Sequence, residues 1–240
     1  RRQFQKRFDM SFSQYARARR LGHAFNTIKK GNAVIEAQFD AGFESGSGFR
    51  EAFSRTFGEA PNKSRAALTF AMDWIDTPLG PMLAIADDTH LHMLEFVERR
   101  KLHEHVERYR KQFNATVLPG DTNALKLIKQ ELADYFSGTS LVFKSKIASA
   151  GTEFQNEVWH ELRRVPAGVT RSYQEMAERI GRPTAVRAVA NANRLNRCAI
   201  ITPCHRVIGA DGTLTGYAGG LWRKQWLLDH ERRHTGQTLL

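Results

Sequence analysis

The chain has 240 residues, 41% of them hydrophobic and 25% charged, with only two cysteines. That length gives room for one or two domains with substantial cores. Two cysteines exclude a disulfide framework and suit a reducing, cytoplasmic setting, and no apolar run approaches the ~20 residues of a membrane-spanning helix. Lys and Arg outnumber Asp and Glu by 36 to 25, a net charge of +11, and the excess is concentrated in residues 1–65, which hold 13 basic and 6 acidic side chains. Nucleic acid is the polyanion that suits such a distribution, because Lys and Arg release its condensed counterions.

Residues 1–64 read as helical throughout. The stretch FSQYARARRLGHAFNTIKKG places Phe12, Tyr15, Ala16, Leu21 and Phe25 near helical period and stops at Gly31. A short helix over Val34 to Phe39, the turn DAGFES and a second helix from about Ser47 to Phe57 follow. Phe49, Phe53 and Phe57 lie at i, i+4 and i+8 and form one stripe, leaving Arg50, Ser54 and Arg55 to point elsewhere. Helix, glycine turn, helix with basic outward residues suits a helix-turn-helix DNA reader, with Arg50 and Arg55 as its DNA contacts; geometry alone leaves an ordinary helical hairpin open.

From residue 73 the pattern changes. Two apolar segments split by ADDTH predict a β-hairpin. The charged helix RKLHEHVERYRKQF follows, then the amphipathic ALKLIKQELADYFSGT, ended by Gly138. His90, His92, His103 and His105 fit no familiar metal spacing and read as solvated side chains. Beyond residue 150, Thr152 with Gln155 and Ser172 with Glu175 spell two capping boxes. Gly181 stops the second helix, and Pro183 opens another, RPTAVRAVANANRLN, with small residues Ala185, Ala188, Ala190 and Ala192 and the long cations Arg187 and Arg194. CAIITPCHRVIG reads as a buried strand that keeps Cys198 and Cys204 on one face, too far apart to bridge. A glycine-rich loop and the helix LWRKQWLLDHE close the pattern.

Cys204 stands between Pro203 and His205. A lone cysteine is usually a small buried hydrophobe. As a nucleophile it needs a base, since thiolate attacks and burial raises the thiol pKa. His205 is the nearest base, yet strand neighbours point to opposite faces, so a turn at Pro203 or an intervening water would have to link the two. Glu231 is the acid best placed in the sequence to fix the imidazole tautomer. Nicotinamide, phosphate-loop and metal motifs are lacking, so neither a cofactor nor a metal is expected.

Two stretches carry family resemblances. AGFESGSGFREAFSRTFGEAP, with Gly42, Phe43, Ser47, Phe49, Phe53, Phe57, Gly58 and Pro61, resembles the C-terminal half of an AraC-type DNA-binding domain. TPCHRVIGADGTLTGYAGG resembles the active-site signature of the O6-alkylguanine-DNA alkyltransferases, Pro-Cys-His-Arg-Val, and the similarity extends upstream from GTEFQNEVW and downstream through WLLDHE. Joined, they resemble the Ada-type bifunctional regulators. The resemblance implies an α+β architecture: a partial AraC-type helix-turn-helix segment (1–64), a small α/β, ribonuclease H-like subdomain (73–150), and a mainly helical, winged-helix-like methyltransferase subdomain (151–236).

It also implies roles. Cys204 would take an alkyl group from guanine O6, and from O4 of thymine as a secondary substrate, and keep it. His205, through a water, and Glu231 would activate the thiol, Asn196 would brace the active-site turn, and Tyr173 would donate to the leaving guanine. Arg187 would be the finger that fills the space of a flipped nucleotide, with Ala188, Asn193 and Arg194 beside it on the DNA face. Tyr217, Ala218 and Ala199 would line the substrate pocket, and Arg206 would be structural. Double-stranded DNA bearing alkylated guanine is the implied partner, with promoter DNA as a second; the chain is expected to act as a monomer, away from membranes. Ala218 stands where many members carry Ser, and Ala199 where some carry Pro. No cysteine precedes Cys198, so the zinc domain that accepts methyl from phosphotriesters in full-length relatives is not expected. The alternatives are a transcriptional regulator using the methyltransferase as sensor, which needs a first helix-turn-helix unit, and a cysteine hydrolase, which would turn over.

Overall fold

The computed structural model describes residues 30–57, 68–96 and 102–236, and positions 13, 16, 17, 20, 21, 24, 27 and 28, all eight of which are helical. Beyond Gly31, a turn residue at φ +100°, come α1 (Val34–Asp40) and α2 (Gly46–Phe57). Leu21, Ala24, Ile28, Ala37, Phe49 and Phe53 form one buried cluster, in which the rings of Phe49 and Phe53 lie 5.5 Å apart. The expected aromatic stripe holds at those two positions, and Arg50 is exposed. Phe12, Tyr15 and Phe25, and the side chains of Phe57 and Arg55, lie outside the described residues.

The middle of the chain is a four-stranded sheet in the order β3-β2-β1-β4: β1 (Thr69–Ile75), β2 (Met82–Ala86), β3 (Leu91–Phe96) and β4 (Thr116–Pro119). Neighbours are antiparallel except β1 and β4, which run parallel. The expected hairpin is β2–β3. The two remaining strands were not read from the sequence, and the parallel pairing of β1 with β4 is reached only through α3 (Leu102–Phe113). Leu125, Ile128, Leu132 and Tyr135 of α4 (Asn123–Ser137) cover one face of the sheet; Leu102 and Tyr109 of α3 cover the other. Burial on both faces explains why β2 reads as a continuous apolar run; β3 is buried throughout as well, although it carries His92 and Glu95. Leu118 of β4 joins the aromatic cluster of α2, so the helical segment packs on this edge strand.

His92 corrects the reading of solvated histidines. It is buried, its Nδ1 bonds the Tyr109 hydroxyl, and its Nε2 lies 2.8 Å from Asp87 Oδ2. It staples sheet to helix. No group of three His, Cys, Asp or Glu placed to hold a metal occurs among the described residues, and no described helix is long and apolar enough to cross a membrane.

The C-terminal part is mainly helical. Both capping boxes form, Thr152 with Gln155 before α5 (Glu153–Arg164) and Ser172 with Glu175 before α6 (Tyr173–Arg179). Next is α7 (Val186–Arg194), which begins three residues later than expected because Pro183 and Thr184 form a turn and Ala185 is the N-cap. Val158, Leu162, Met176, Val189 and Ala192 share one core from these three helices.

The expected strand from Cys198 to Gly209 does not form. Cys198 makes a single bridge to Leu94, and the chain then turns, with Ile200 at φ +72° and the Thr202 amide donating to the Cys198 carbonyl at 2.9 Å. Cys204–Arg206 is one turn of 3-10 helix, and only β6 (Val207–Ile208) is extended, parallel to β5 (Arg171–Ser172). The two cysteines therefore do not share a strand face. The last helix, α8 (Leu221–Thr235), packs Leu227 into the sheet core.

Candidate active site

The turn decides the chemistry. Because Cys204 begins a helical turn, it and His205 are not fixed on opposite faces of a strand. Cys204 lies at the edge of a cavity of ≈ 390 Å³, lined also by Tyr173, Asn196, Ala199, Tyr217 and Ala218, and is itself 8% exposed. His205 turns inward and is fully buried.

Asn196 holds the turn closed. Its Nδ2 donates to the Thr202 carbonyl at 2.8 Å and lies 3.3 Å from Cys204 Sγ, and its Oδ1 accepts from the Cys198 amide at 3.0 Å. One amide thus ties both ends of the turn and the sulfur together, while a β-branched residue is held in the left-handed region.

Behind the cysteine stands a buried polar network centred on Glu231, which is fully buried. Its carboxylate accepts from His205 Nε2 (2.7 Å), Arg206 Nε (2.9 Å), a terminal Arg206 nitrogen (2.8 Å), the Tyr135 hydroxyl (2.8 Å) and the Gly168 amide (3.2 Å). Burial pushes the Glu231 carboxyl up, but His205 and Arg206 more than offset it and hold it well below the ordinary carboxylate range. Burial likewise pushes the His205 imidazole down against the pull of Glu231. The imidazole is therefore neutral at pH 7, its Nε2–H donates to Glu231, and Nδ1 is left as the acceptor. That Nδ1 is buried with no hydrogen-bond partner among the described residues.

Arg206 gives its remaining bond to the Val165 carbonyl and is buried, in keeping with a structural role. Cys198 is 3% exposed, and burial pushes its thiol up to about 12, so it is inert as a nucleophile at neutral pH.

Tyr173, the first residue of α6, faces the cavity; Ala199, Tyr217 and Ala218 stand on its wall. On α7, Arg187 and Ala188 are exposed, and Arg194 lines the cavity while bonding Asn191. Asn193, expected on the DNA-facing side, lines the same cavity; it is 7% exposed and its Nδ2 donates to the Cys204 carbonyl. Val189, Ala192 and Asn193 share the buried side of α7.

Three contributors were missed. Tyr135 and Gly168 meet Glu231 from far along the chain, and no local pattern marks them. Lys224, which nothing in the sequence singles out, is fully buried. Glycine is required at one wall position: a Cβ on Gly219 would stand 2.9 Å from the Phe96 ring.

Three protein-family models match the chain: a helix-turn-helix domain over residues 1–67, the ribonuclease-like domain of 6-O-methylguanine DNA methyltransferase over 72–148, and the DNA binding domain of the same family over 153–233. The methylated-DNA–protein-cysteine methyltransferase of Salmonella typhimurium is 43% identical over 159 residues, covering 65% of this chain and 92% of that protein. Its counterpart in Methanosarcina barkeri is 42% identical over 166 residues, covering 68% and 97%. The crystal structure of the Mycobacterium tuberculosis O6-methylguanine methyltransferase superposes with a TM-score of 0.60 at 39% identity, over 69% of this chain and 94% of that one. The same organism's protein in complex with DNA gives 0.58 at 38%, over 70% and 94%. The chain belongs to the methylated-DNA–protein-cysteine methyltransferase family, with a helix-turn-helix domain ahead of the two methyltransferase domains.

Proposed function

We infer that the protein repairs DNA by moving an alkyl group from O6 of guanine, and secondarily from O4 of thymine, onto Cys204, once per chain. The observation that carries this reading is a thiol at the edge of a cavity, backed by a neutral imidazole whose free Nδ1 acceptor is set by Glu231. In the transfer, the Cys204 proton passes through a water to His205 and the thiolate attacks the alkyl carbon. The S–C bond forms as the C–O6 bond breaks, and the electron pair stays on the departing guanine. Tyr173 donates a hydrogen bond to that base, where charge develops. The electrons balance without a cofactor, and the thioether that forms has no route back to thiol, so each chain reacts once.

The target atom is hidden in a duplex, so the nucleotide must flip out of the stack, at a few kcal/mol. The exposed Arg187, with Ala188 and Arg194 on the same helix, suits a minor-groove approach in which the guanidinium fills the vacated place. A cytoplasmic location belongs to this reading; two thiols outside any disulfide support it. The helix-turn-helix match and the exposed Arg50 favour a second DNA contact from the N-terminal segment, which would place the chain on DNA.

The test is an intact mass of the chain after mixing with a duplex carrying one O6-methylguanine, followed by peptide mapping. A gain of one methylene unit on the Cys204 peptide, saturating at one per chain, is expected. An unchanged mass with the lesion intact would sink the repair reading, and continued turnover would identify a hydrolase.

A further inference from the structure

A second, smaller crevice of ≈ 80 Å³ lies on the boundary between the two methyltransferase domains. His92 and Ile147 reach it from the ribonuclease-like side, and Arg163, Arg197 and Thr202 from the other. Asn196 lines both this crevice and the cavity at Cys204, so the two spaces abut the same tied turn. One water needs about 10–15 Å³, which leaves room here for a handful of waters or one small anion.

The polar lining has one sign. Among the described residues of the wall there is no Asp or Glu. Arg163, in the last turn of α5, has neither an ion pair nor a hydrogen bond among the described residues. The acids nearest to it along that helix are taken by other cations, Glu161 by Arg164 and Arg179 and Glu157 by Arg182. Arg197 meets only neutral partners: both terminal nitrogens donate to Gln112 Oε1 at 3.2 Å, and the guanidinium carbon lies 5.2 Å from the Tyr109 ring centre. Its charge therefore has no counter-ion. Thr202 is 1% exposed, and its hydroxyl bonds none of the described residues. A buried hydroxyl without a partner destabilises the fold unless something enters to bond it.

We propose that this crevice binds a tetrahedral oxyanion of the phosphate class, held by the Arg163 and Arg197 guanidiniums and the Thr202 hydroxyl, and that the anion clasps the two methyltransferase domains together behind the Cys204 turn. The donor set chooses the class. A guanidinium presents parallel N–H groups that match two oxygens of one anion, and two guanidiniums with a hydroxyl ask for more acceptor oxygens than a carboxylate carries. A phosphate group supplies them, as free inorganic phosphate or on a nucleic-acid backbone. The proposal is independent of the repair reading, because it involves neither the Cys204 thiol nor an alkylated base.

The test uses the full chain without DNA. Inorganic phosphate is titrated against sodium chloride at constant pH and ionic strength, and melting is followed by tryptophan fluorescence. A ligand that binds only the folded chain raises the melting temperature saturably; phosphate should do so and chloride should not. Arg163→Gln removes a charge that bonds nothing else in the fold, so this variant should melt like the parent in chloride. It should need about tenfold more phosphate for the same rise, the loss of one charge-assisted contact. Thr202→Val, which keeps the size and removes the hydroxyl, should weaken the response in the same direction.

Two results would overturn the proposal. One is the lack of a saturable rise with phosphate. The other is an unaltered phosphate response in Arg163→Gln, which would put the anion elsewhere on the basic surface. An undamaged duplex then separates the two sources of phosphate, both of which require the site. Competition between duplex and inorganic phosphate that disappears in Arg163→Gln assigns the crevice to the DNA backbone; duplex binding that leaves the phosphate response unchanged assigns it to the free ion. Methyl transfer to Cys204, measured separately by intact mass, decides the repair reading on its own.

Discussion

Replacing Glu231 with glutamine tests whether the buried network behind Cys204 is held by charge or only by shape. Glutamine has the same size, but it removes the negative charge and turns one oxygen into an NH2 group that faces donors. The side chain is fully buried and accepts five hydrogen bonds, two of them from the Arg206 guanidinium, itself only 8% exposed. In Glu231→Gln the guanidinium keeps the Val165 carbonyl but loses its counter-ion. Breaking a buried pair from one side costs about 3–5 kcal/mol. At ~2–4 °C per kcal/mol for a unit of this size, the melting temperature should fall by about 6–20 °C.

All four tryptophans (Trp74, Trp159, Trp222 and Trp226) lie within the two methyltransferase domains, so tryptophan fluorescence in a urea titration reads the affected part alone. The double variant Arg206→Met with Glu231→Gln should recover part of the loss, because the unpaired charge is gone. The pH dependence has a fixed sign. Glu231 has a depressed folded pKa, so its contribution is complete above the ordinary carboxylate value of ~4.3 and is lost as pH falls below it. The gap between the parent chain and Glu231→Gln should be constant from about pH 5 upward and shrink on acidification. A loss under about 1 kcal/mol at pH 7, or single-variant losses that simply add in the double variant, would refute the reasoning. The single-turnover transfer rate should also fall by about 10²-fold, because the imidazole tautomer is no longer imposed.

Asn196→Ala should lower stability by about 2–4 kcal/mol, measured by urea titration, and slow methyl transfer, because it unties the Thr202 carbonyl, the Cys198 amide and the Cys204 sulfur at once. Iodoacetamide at pH 8 should label the native chain once, at Cys204, with Cys198 labelled only after unfolding; Cys198→Ala should still accept one methyl per chain, read by intact mass. Gly138→Ala should destabilise by about 1–2 kcal/mol, again by urea titration. The residue caps α4 at φ +79°, and a Cβ would clash with the His234 ring.

Features that depend on neighbours a few residues apart were legible. Both capping boxes, the stop at Gly138, the β2–β3 hairpin and the Phe49–Phe53 stripe stand where spacing placed them. Features set by distant partners were not. Nothing in TVLP announces a strand until β1 lies beside it, and nothing near His92 announces Tyr109 seventeen residues on.

The most instructive miss is the nucleophile's own segment. CAIITPCHRVIG is rich in β-branched residues and apolar at most positions, and its local preference is extended. That preference is overridden by Asn196, whose side chain closes the turn while Ile200 takes a conformation β-branched residues avoid. A strand would have set Cys204 and His205 on opposite faces, with no route between thiol and imidazole except around the backbone. The helical turn puts the thiol at the cavity and the imidazole against Glu231, so backbone strain is the physical condition under which adjacent residues can take the proposed roles of nucleophile and base. The same dependence on distant partners holds in α8. Arg223, Lys224, His230 and Glu231 are all buried there, each held by carbonyls, rings or an opposite charge brought from elsewhere in the chain. Buried charges gathered behind a reactive thiol are evidence of a site, and here they identify it more sharply than the apolar pattern around the cysteine does.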